Sequence, residues 1–361
     1  MLINQIRNNI EKNLEKFLEL SEKKYKLSSI HPALYEYIKD FCLRGGKRIR
    51  PLLLILSYKG YLAKNQRVHA SIYQASTCTE LLHNFMLVHD DIIDNSSLRR
   101  GKPTMHKLLE SIADIKDKTK LGSDLAIITG DILYALAIDA FLTIKVDDEQ
   151  KNKALQYFVQ TATFTAMGEF LDTLHGIEPV DKIKEEDIFL NYTLKTSKYT
   201  FDAPLVIGAL LANAPKTEIK KLSQLSLLIG QAFQIQDDII GLFDTERNIG
   251  KSILSDLEEK KKTILIYHAY KTLKGTDKNH FLKIFNKERN TMKDLENIKN
   301  ILIKTKSLEY SINEVLSRFD EGFMILNKLK LNSEIKDIFI NIFKDFFRPC
   351  HEMQKKYIPK P

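Results

Sequence analysis

The chain is poor in the two residues on which tight turns depend. Its 361 residues hold 14 glycines and 9 prolines, about 6% of the chain and roughly half the usual share. A β-rich fold needs frequent turns, and turns draw on Gly and Pro, so the chain is constrained to long helices. Apolar residues recur at helical spacing almost throughout. The pattern predicts helices near 3–25, 33–44, 52–64, 68–95, 104–113, 121–145, 150–175, 185–213, 217–243, 256–274, 278–286, 291–303, 305–328 and 333–348. Breaks fall at Gly45-Gly46, Arg100-Gly101-Lys102-Pro103, Gly176 to Pro179 and Asn213 to Pro215, where helix stop signals are expected. With no linker and no repeat, the expectation is one all-α domain over residues 1–361, a bundle of ten or more helices.

Composition narrows the class. Apolar residues at 43% and charged residues at 28% describe a globular chain, not a disordered one. Three cysteines, Cys42, Cys78 and Cys350, exclude a disulfide framework and a Cys-rich zinc site, and predict reduced thiols in a cytoplasmic protein. The charged N-terminus reads as neither signal peptide nor membrane span. Ala203 to Ala214 is the longest uncharged apolar run; it is too short to span a bilayer and reads as a core helix. The net charge of +8 suits a nucleic acid, a membrane surface or a phosphorylated substrate. No basic run is interleaved with stacking aromatics, which argues against nucleic acid.

The sharpest local feature is Asp90-Asp91-Ile92-Ile93-Asp94. At about 100° per residue, Asp94 lies about 40° from Asp90 and one turn on, and His83 lies about 20° off the same line. Three carboxylates in five residues repel one another unless a cation sits between them. At a helix C-terminus they also oppose the helix dipole. One or two carboxylates completed by waters and substrate phosphate are what Mg2+ prefers. A second polar stripe, Gln234, Asp237, Asp238 and Gly241, follows helical spacing through an otherwise apolar segment, and polar groups in a core helix need partners or a ligand. Together the two stripes suggest acidic helices facing a shared cation cluster. Basic residues balance them: Lys47 and Arg50 after the Gly45-Gly46 turn, Arg99-Arg100, Lys195 beside Thr196 near a helix end, Lys251 and Lys261. Arginine binds phosphate as a fork and lysine as a point charge.

GGKRIRP, ELLHNFMLVHDDIIDNSSLRRGKPT, the Lys195-Thr196 pair, GQAFQIQDDIIG and GKSILSDLEEKKKT stand in the order found in trans-prenyltransferases, the head-to-tail isoprenyl diphosphate synthases. The chain resembles that family from Gly45 to about Thr263. The resemblance implies an all-α bundle of isoprenoid synthase type around a deep central cavity, usually a homodimer. It implies that isopentenyl diphosphate is held by Lys47, Arg50, His83 and Arg100. The allylic diphosphate is then held by Arg99, Lys195, Lys251 and Lys261, with Thr196 and Gln234 lining the reacting carbon. About three Mg2+ ions bridge to Asp90, Asp94 and Asp237, and Asp91 and Asp238 are supporting acids. Ionising the allylic C–O bond leaves diphosphate, whose charge metals and basic groups neutralise, and a carbocation that needs a dry pocket.

The sequence departs from the family pattern at Gly241, where an acid is usual, and at Lys260, where glycine is usual. It departs again at Ser197-Lys198, where small apolar residues are usual, and at Glu169, where Gln is usual. No residue of first rank is lost. Chain length is expected to depend on Phe85 and Met86, with Leu82 and Thr79 deeper. Helix geometry puts Met86 about 40° and Phe85 about 140° from Asp90. One aromatic, one flexible Met and no insertion in the Asp motif resemble an archaeal-style geranylgeranyl (C20) enzyme; farnesyl (C15) or longer products are the alternatives. A class I terpene cyclase would not need a second diphosphate pocket, a non-catalytic subunit would be expected to lose Asp or Lys positions, and a helical scaffold would not explain the paired basic motifs.

Overall fold

The computed structural model describes residues 2–63, 66–243 and 254–358. The chain is all-α. Among the described residues the only strands are Leu98–Arg99 and Lys102–Pro103, a two-residue antiparallel hairpin. The chain divides into two compact units: residues 1–162 with 203–219, and residues 163–202 with 220–361.

The first unit contains α1 (Leu2–Tyr25), α2 (Leu27–Ile30), α3 (Pro32–Leu43), α4 (Ile49–Tyr61), α5 (Ala70–Ile93), α6 (Met105–Leu109) and α7 (Lys118–Leu142). It ends within α8 (Asp148–Ile177) and resumes with α10 (Ala203–Leu211). Helix α4 buries Leu52 to Leu56 completely and packs on α10. A Cβ on Gly208 would sit 2.3 Å from the Leu54 carbonyl, so only glycine allows this crossing. Ser57 Oγ, at the same contact, donates to the Leu205 carbonyl at 2.6 Å. Helix α7 is long and apolar enough to cross a membrane, with mean hydropathy 1.9 over its most apolar stretch, but 44% of that stretch is buried. It packs along α5 and carries Asp124 and Asp131, as a core helix does.

The second unit holds the end of α8, α9 (Glu185–Asn191), a π-helix (Tyr192–Asp202), most of α11 (Lys216–Phe243), α12 (Ser255–Glu258) and α13 (Ile264–Thr272). It closes with α14 (Gly275–Phe285), α15 (Met292–Lys304), α16 (Ser307–Lys328) and α17 (Ser333–Tyr357). Three expectations need correction here. The helix predicted over 185–213 is three elements, because the eleven residues from Tyr192 wind as a π-helix, a rare form found mostly at functional sites. Lys195 lies inside this element, four residues beyond the end of α9. The helix predicted over 256–274 is broken: Lys260 takes a left-handed φ of 53°, and Thr263 starts α13 by capping the Ile266 N–H.

The third correction concerns the last helix, which passes Pro349 and continues to Tyr357. Proline removes an N–H and displaces the turn before it. The Gln236 side chain repairs the gap: its Nε2 donates to the Phe346 carbonyl at 2.8 Å and its Oε1 accepts from the Cys350 N–H at 3.2 Å. One amide thus bonds a carbonyl and an N–H on either side of the proline.

Lys260 occupies the family's glycine position yet keeps a glycine-like conformation, at a cost of about 1–2 kcal/mol for an L-residue. Lys260→Gly is expected to raise stability by about 1 kcal/mol, read from urea unfolding at constant m-value, whereas Lys260→Ala keeps the strain and gives no such gain.

Candidate functional site

In the first unit the site is assembled by one buried arginine. Arg48 caps the N-terminus of α4 with a left-handed φ of 47°. Its guanidinium reaches Glu80 at 2.5 Å and Glu11 at 2.6 Å, and donates to the Cys42 carbonyl at 2.9 Å. The side chains of Arg48 and Glu80 are 1% and 2% exposed. Burial opposes the charge on Arg48, but Glu80 and Glu11 more than restore it. This anchor fixes the turn between the two predicted ligands: Lys47 is exposed on one side and Arg50 half-buried on the other.

The Asp motif divides by burial. Asp91 is fully buried, and Arg99 grips it through both Nε, at 2.8 Å, and Nη2. Burial pushes the Asp91 carboxyl up to about 6, against the pull of Arg99. Asp90 and Asp94 are half-exposed; Asp90 touches the edge of Arg99 at 3.2 Å. Arg100 and Gly101 form the hairpin tip with φ of 55° and 73°, the two positive values that a type I′ turn requires. The tip sends Arg99 to the Asp motif and Arg100 to the Arg44 carbonyl at 3.0 Å. A Cβ on Gly46 would lie 3.3 Å from the Arg100 guanidinium carbon, so the glycine turn and the hairpin tip adjoin. His83 is held neutral well below its ordinary range by burial and by the charges of Arg50, Arg100, Arg99 and Arg48. Arg50, His83 and Arg100 thus share one cationic neighbourhood. Phe85 points toward α7, packing on Tyr134 at 5.1 Å and edge-on to His89 at 4.7 Å; Met86 is half-buried, and Leu82 and Thr79 are buried.

In the second unit the π-helix is approached closely from two sides. A Cβ on Gly168 of α8 would lie 2.5 Å from the Lys195 nitrogen, and one on Gly230 of α11 would lie 2.5 Å from Ser197 Cα. Lys195 Nζ is held by Asp172 at 2.6 Å and Glu169 at 3.0 Å, and Asn191 also donates to Asp172, at 2.7 Å. Burial opposes ionisation of Asp172, but Lys195 and Lys261 together hold its carboxyl below the usual range. The second Asp motif divides as the first does. Asp237 is exposed. Asp238 is buried and accepts from Tyr192 Oη at 2.5 Å and from Gln234 Nε2 at 2.9 Å. Thr196 Oγ1 donates to Gln234 Oε1 at 2.5 Å. Lys262 donates to the Gly176 carbonyl at 2.7 Å, and burial together with Lys260 lowers its ammonium to about 8. One cavity is bordered by Lys195, Thr196, Gln234, Asp238, Lys261 and Asp172. Lys251 lies outside the described residues.

The open carboxylates fit a hard cation. Among the described residues no three His, Cys, Asp or Glu side chains converge on one point. Asp90 and Asp94 in the first unit are half-exposed and Asp237 in the second is exposed, so each carboxylate is accessible to a hard cation whose other positions water and phosphate would fill.

These arrangements can be set beside known proteins. The polyprenyl synthetase family model matches residues 31–302. The chain belongs to the polyprenyl synthetase family. It is 33% identical over 306 residues to the geranylgeranyl diphosphate synthase of Sulfolobus acidocaldarius, covering 84% of this chain and 87% of that protein. It is 34% identical over 278 residues to the short chain isoprenyl diphosphate synthase of Methanocaldococcus jannaschii, covering 77% and 78%. In fold it is similar to geranylgeranyl pyrophosphate synthase from Corynebacterium glutamicum, whose structure is complexed with isoprenyl diphosphate and magnesium; the TM-score is 0.87 at 23% identity, covering 95% of this chain and 98% of that one. The chain is thus a prenyltransferase of the isoprenoid synthase fold.

Sequence reading missed Arg48 and Glu80, Asp172 with Asn191, and Tyr192. The signals were present: Glu80 is an acid on an apolar helix, one turn before His83, and Tyr192 stands three residues before Lys195.

Proposed function

We propose that this enzyme condenses isopentenyl diphosphate with dimethylallyl, geranyl and farnesyl diphosphates and releases mainly the C20 geranylgeranyl diphosphate. The observation that carries the reading is the cavity of the second unit. There Lys195 and Lys261 stand beside Thr196 and Gln234, cationic groups for a diphosphate next to neutral oxygens for a carbon. Lys195, Lys261, Arg99 and Lys251 bind the allylic diphosphate. Asp90, Asp94 and Asp237 hold about three magnesium ions, and magnesium when bound supplies the positive charge that neutralises the leaving group. Lys47, Arg50 and Arg100 bind the isopentenyl diphosphate, and His83, neutral in their field, donates a hydrogen bond to it. Thr196 and Gln234 line the reacting carbon. No side chain is required as base, since the departing diphosphate accepts the proton. The cationic group around Arg50, His83 and Arg100 favours two diphosphate substrates over the single one of a terpene cyclase.

In this reading the two compact units form one catalytic domain and the enzyme is a cytoplasmic homodimer. Cys42, Cys78 and Cys350 are all free and buried, which supports a reducing compartment. Ile127, Ile128 and Leu142 of α7 and Val159 of α8 are all more than 40% exposed, which supports a partner chain there.

The test is incubation of purified protein with labelled isopentenyl diphosphate, Mg2+ and each allylic primer, followed by dephosphorylation and chromatography. A dominant C20 alcohol supports the reading; no incorporation from any primer overturns it. Phe85→Ala removes the ring that packs on Tyr134 and His89, and is expected to shift the product to C25 or longer. An unchanged product would move the floor down α5 to Leu82 and Thr79.

A further inference from the structure

We infer that Tyr192 and Asp238 are positioning residues that fix the polarity of the Thr196 hydroxyl, turning its oxygen lone pairs toward the cavity. The inference rests on the reading that Thr196 faces the reacting allylic carbon. Ile264 opens α13, and its backbone N–H is one of the donors a helix start leaves without an intrahelical partner. It donates to Tyr192 Oη at 3.0 Å. The tyrosine's single proton then goes to Asp238 Oδ2, at 2.5 Å. The other carboxylate oxygen accepts from Gln234 Nε2 at 2.9 Å, one helical turn earlier. That bond commits the amide: its NH2 faces Asp238, so its oxygen faces Thr196. An amide oxygen carries no proton, so Thr196 donates, at 2.5 Å. Its hydroxyl proton is spent, and only lone pairs remain for a ligand.

This polarity gives a physical basis for the place of Thr196 beside the reacting carbon. A hydroxyl that presents lone pairs repels phosphate oxygen and attracts positive charge, so Thr196 serves the developing cation and not the diphosphate. Tyr192, Asp238 and Thr196 are all buried, so water does not compete for these bonds. The chain also joins three elements. It ties the start of α13, just after Lys261, through α11 to the π-helix that carries Lys195. Correct seating of that segment and correct polarity at Thr196 therefore depend on the same tyrosine.

The test compares two unreactive probes by titration calorimetry in saturating Mg2+: the thiolo analogue of dimethylallyl diphosphate, with a neutral carbon, and an ammonium diphosphate analogue, with a positive charge at the same place. In Asp238→Asn the new amide donates to Gln234 Oε1, the glutamine turns over, and the Thr196 proton swings into the cavity. Affinity for the ammonium probe is expected to fall about tenfold or more, as loss of one oriented dipole does, while affinity for the thiolo probe stays within about threefold. Tyr192→Phe keeps its ring against Phe189 at 5.9 Å. It takes the hydroxyl donor from Asp238 Oδ2 and lets the carboxylate turn away from Gln234, so the glutamine is no longer held in one orientation; kcat is expected to fall about tenfold with the allylic KM within about twofold, and the variant carries the same two-probe comparison should Asp238→Asn not fold. Parallel loss of both probes, or an unchanged ratio in both variants, overturns the inference. A wild-type protein that binds neither probe and incorporates no isopentenyl diphosphate overturns instead the reading on which it rests.

Discussion

Glu80→Ala is expected to destabilise the protein by about 3–5 kcal/mol, the usual cost of removing one partner from a buried ion pair. The charge left behind is Arg48, whose side chain is 1% exposed. Glu11 stays bound to it, but the Glu11 side chain is 42% exposed and so shares its charge with water. Arg48 also holds a left-handed backbone at the start of α4, a conformation that persists only while its surroundings over-determine it. Losing Glu80 therefore loosens the turn that presents Lys47 and Arg50. Thermal melting reads the stability, and the KM for isopentenyl diphosphate, expected to rise while the allylic KM holds, reads the turn. The double variant Arg48→Met with Glu80→Met separates the two effects. Apolar replacement of a whole buried pair is often neutral or stabilising, so stability is expected to recover while the KM does not. A single variant that melts with the wild type would show that the pair contributes nothing.

The fold class was legible because helical period and the scarcity of Gly and Pro act locally, along one helix at a time. The open acids were legible for the same reason: Asp90, Asp94 and Asp237 follow helical spacing, and the structure leaves all three more accessible than Asp91 and Asp238. What escaped depends on contacts between distant segments. Arg48 looks like one more basic residue beside Lys47 and Arg50 until Glu80, 32 residues away, takes its charge out of the site. Arg99 looks like a phosphate ligand, and the structure places it first on Asp91. The π-helix has no periodic signature, since its residues also suit an α-helix. It is held by Gly168 and Gly230, whose need to be glycine is visible only where the backbones meet. Lys260 misleads in the opposite direction: it breaks the family's residue pattern but keeps the left-handed backbone.

Gly168→Ala is expected to lower kcat/KM about a hundredfold, the loss that a displacement of about 1 Å at a reacting centre brings. The added Cβ would meet the Lys195 nitrogen at 2.5 Å and both the Leu194 carbonyl carbon and the Lys195 Cα at 2.8 Å. All three are backbone atoms, so no rotamer change relieves the contact, and α8 must part from the π-helix. Overpacking of this kind costs about 1–3 kcal/mol in stability; the activity loss is larger because of what the two elements share. Lys195 on the π-helix is held by Glu169 and Asp172 on α8, one and four residues beyond the glycine. Separating the elements lengthens both ion pairs and carries Lys195, with Thr196 beside it, away from the cavity. Gly176→Ala, on the same helix, meets nothing closer than the Glu259 carbonyl at 3.8 Å, an ordinary contact, and is expected to keep near-wild-type turnover. Steady-state kinetics with each allylic primer compares the two variants. Equal activity in both would mean that the distance between α8 and the π-helix does not control Lys195, and that its grip by Glu169 and Asp172 is incidental to the reaction.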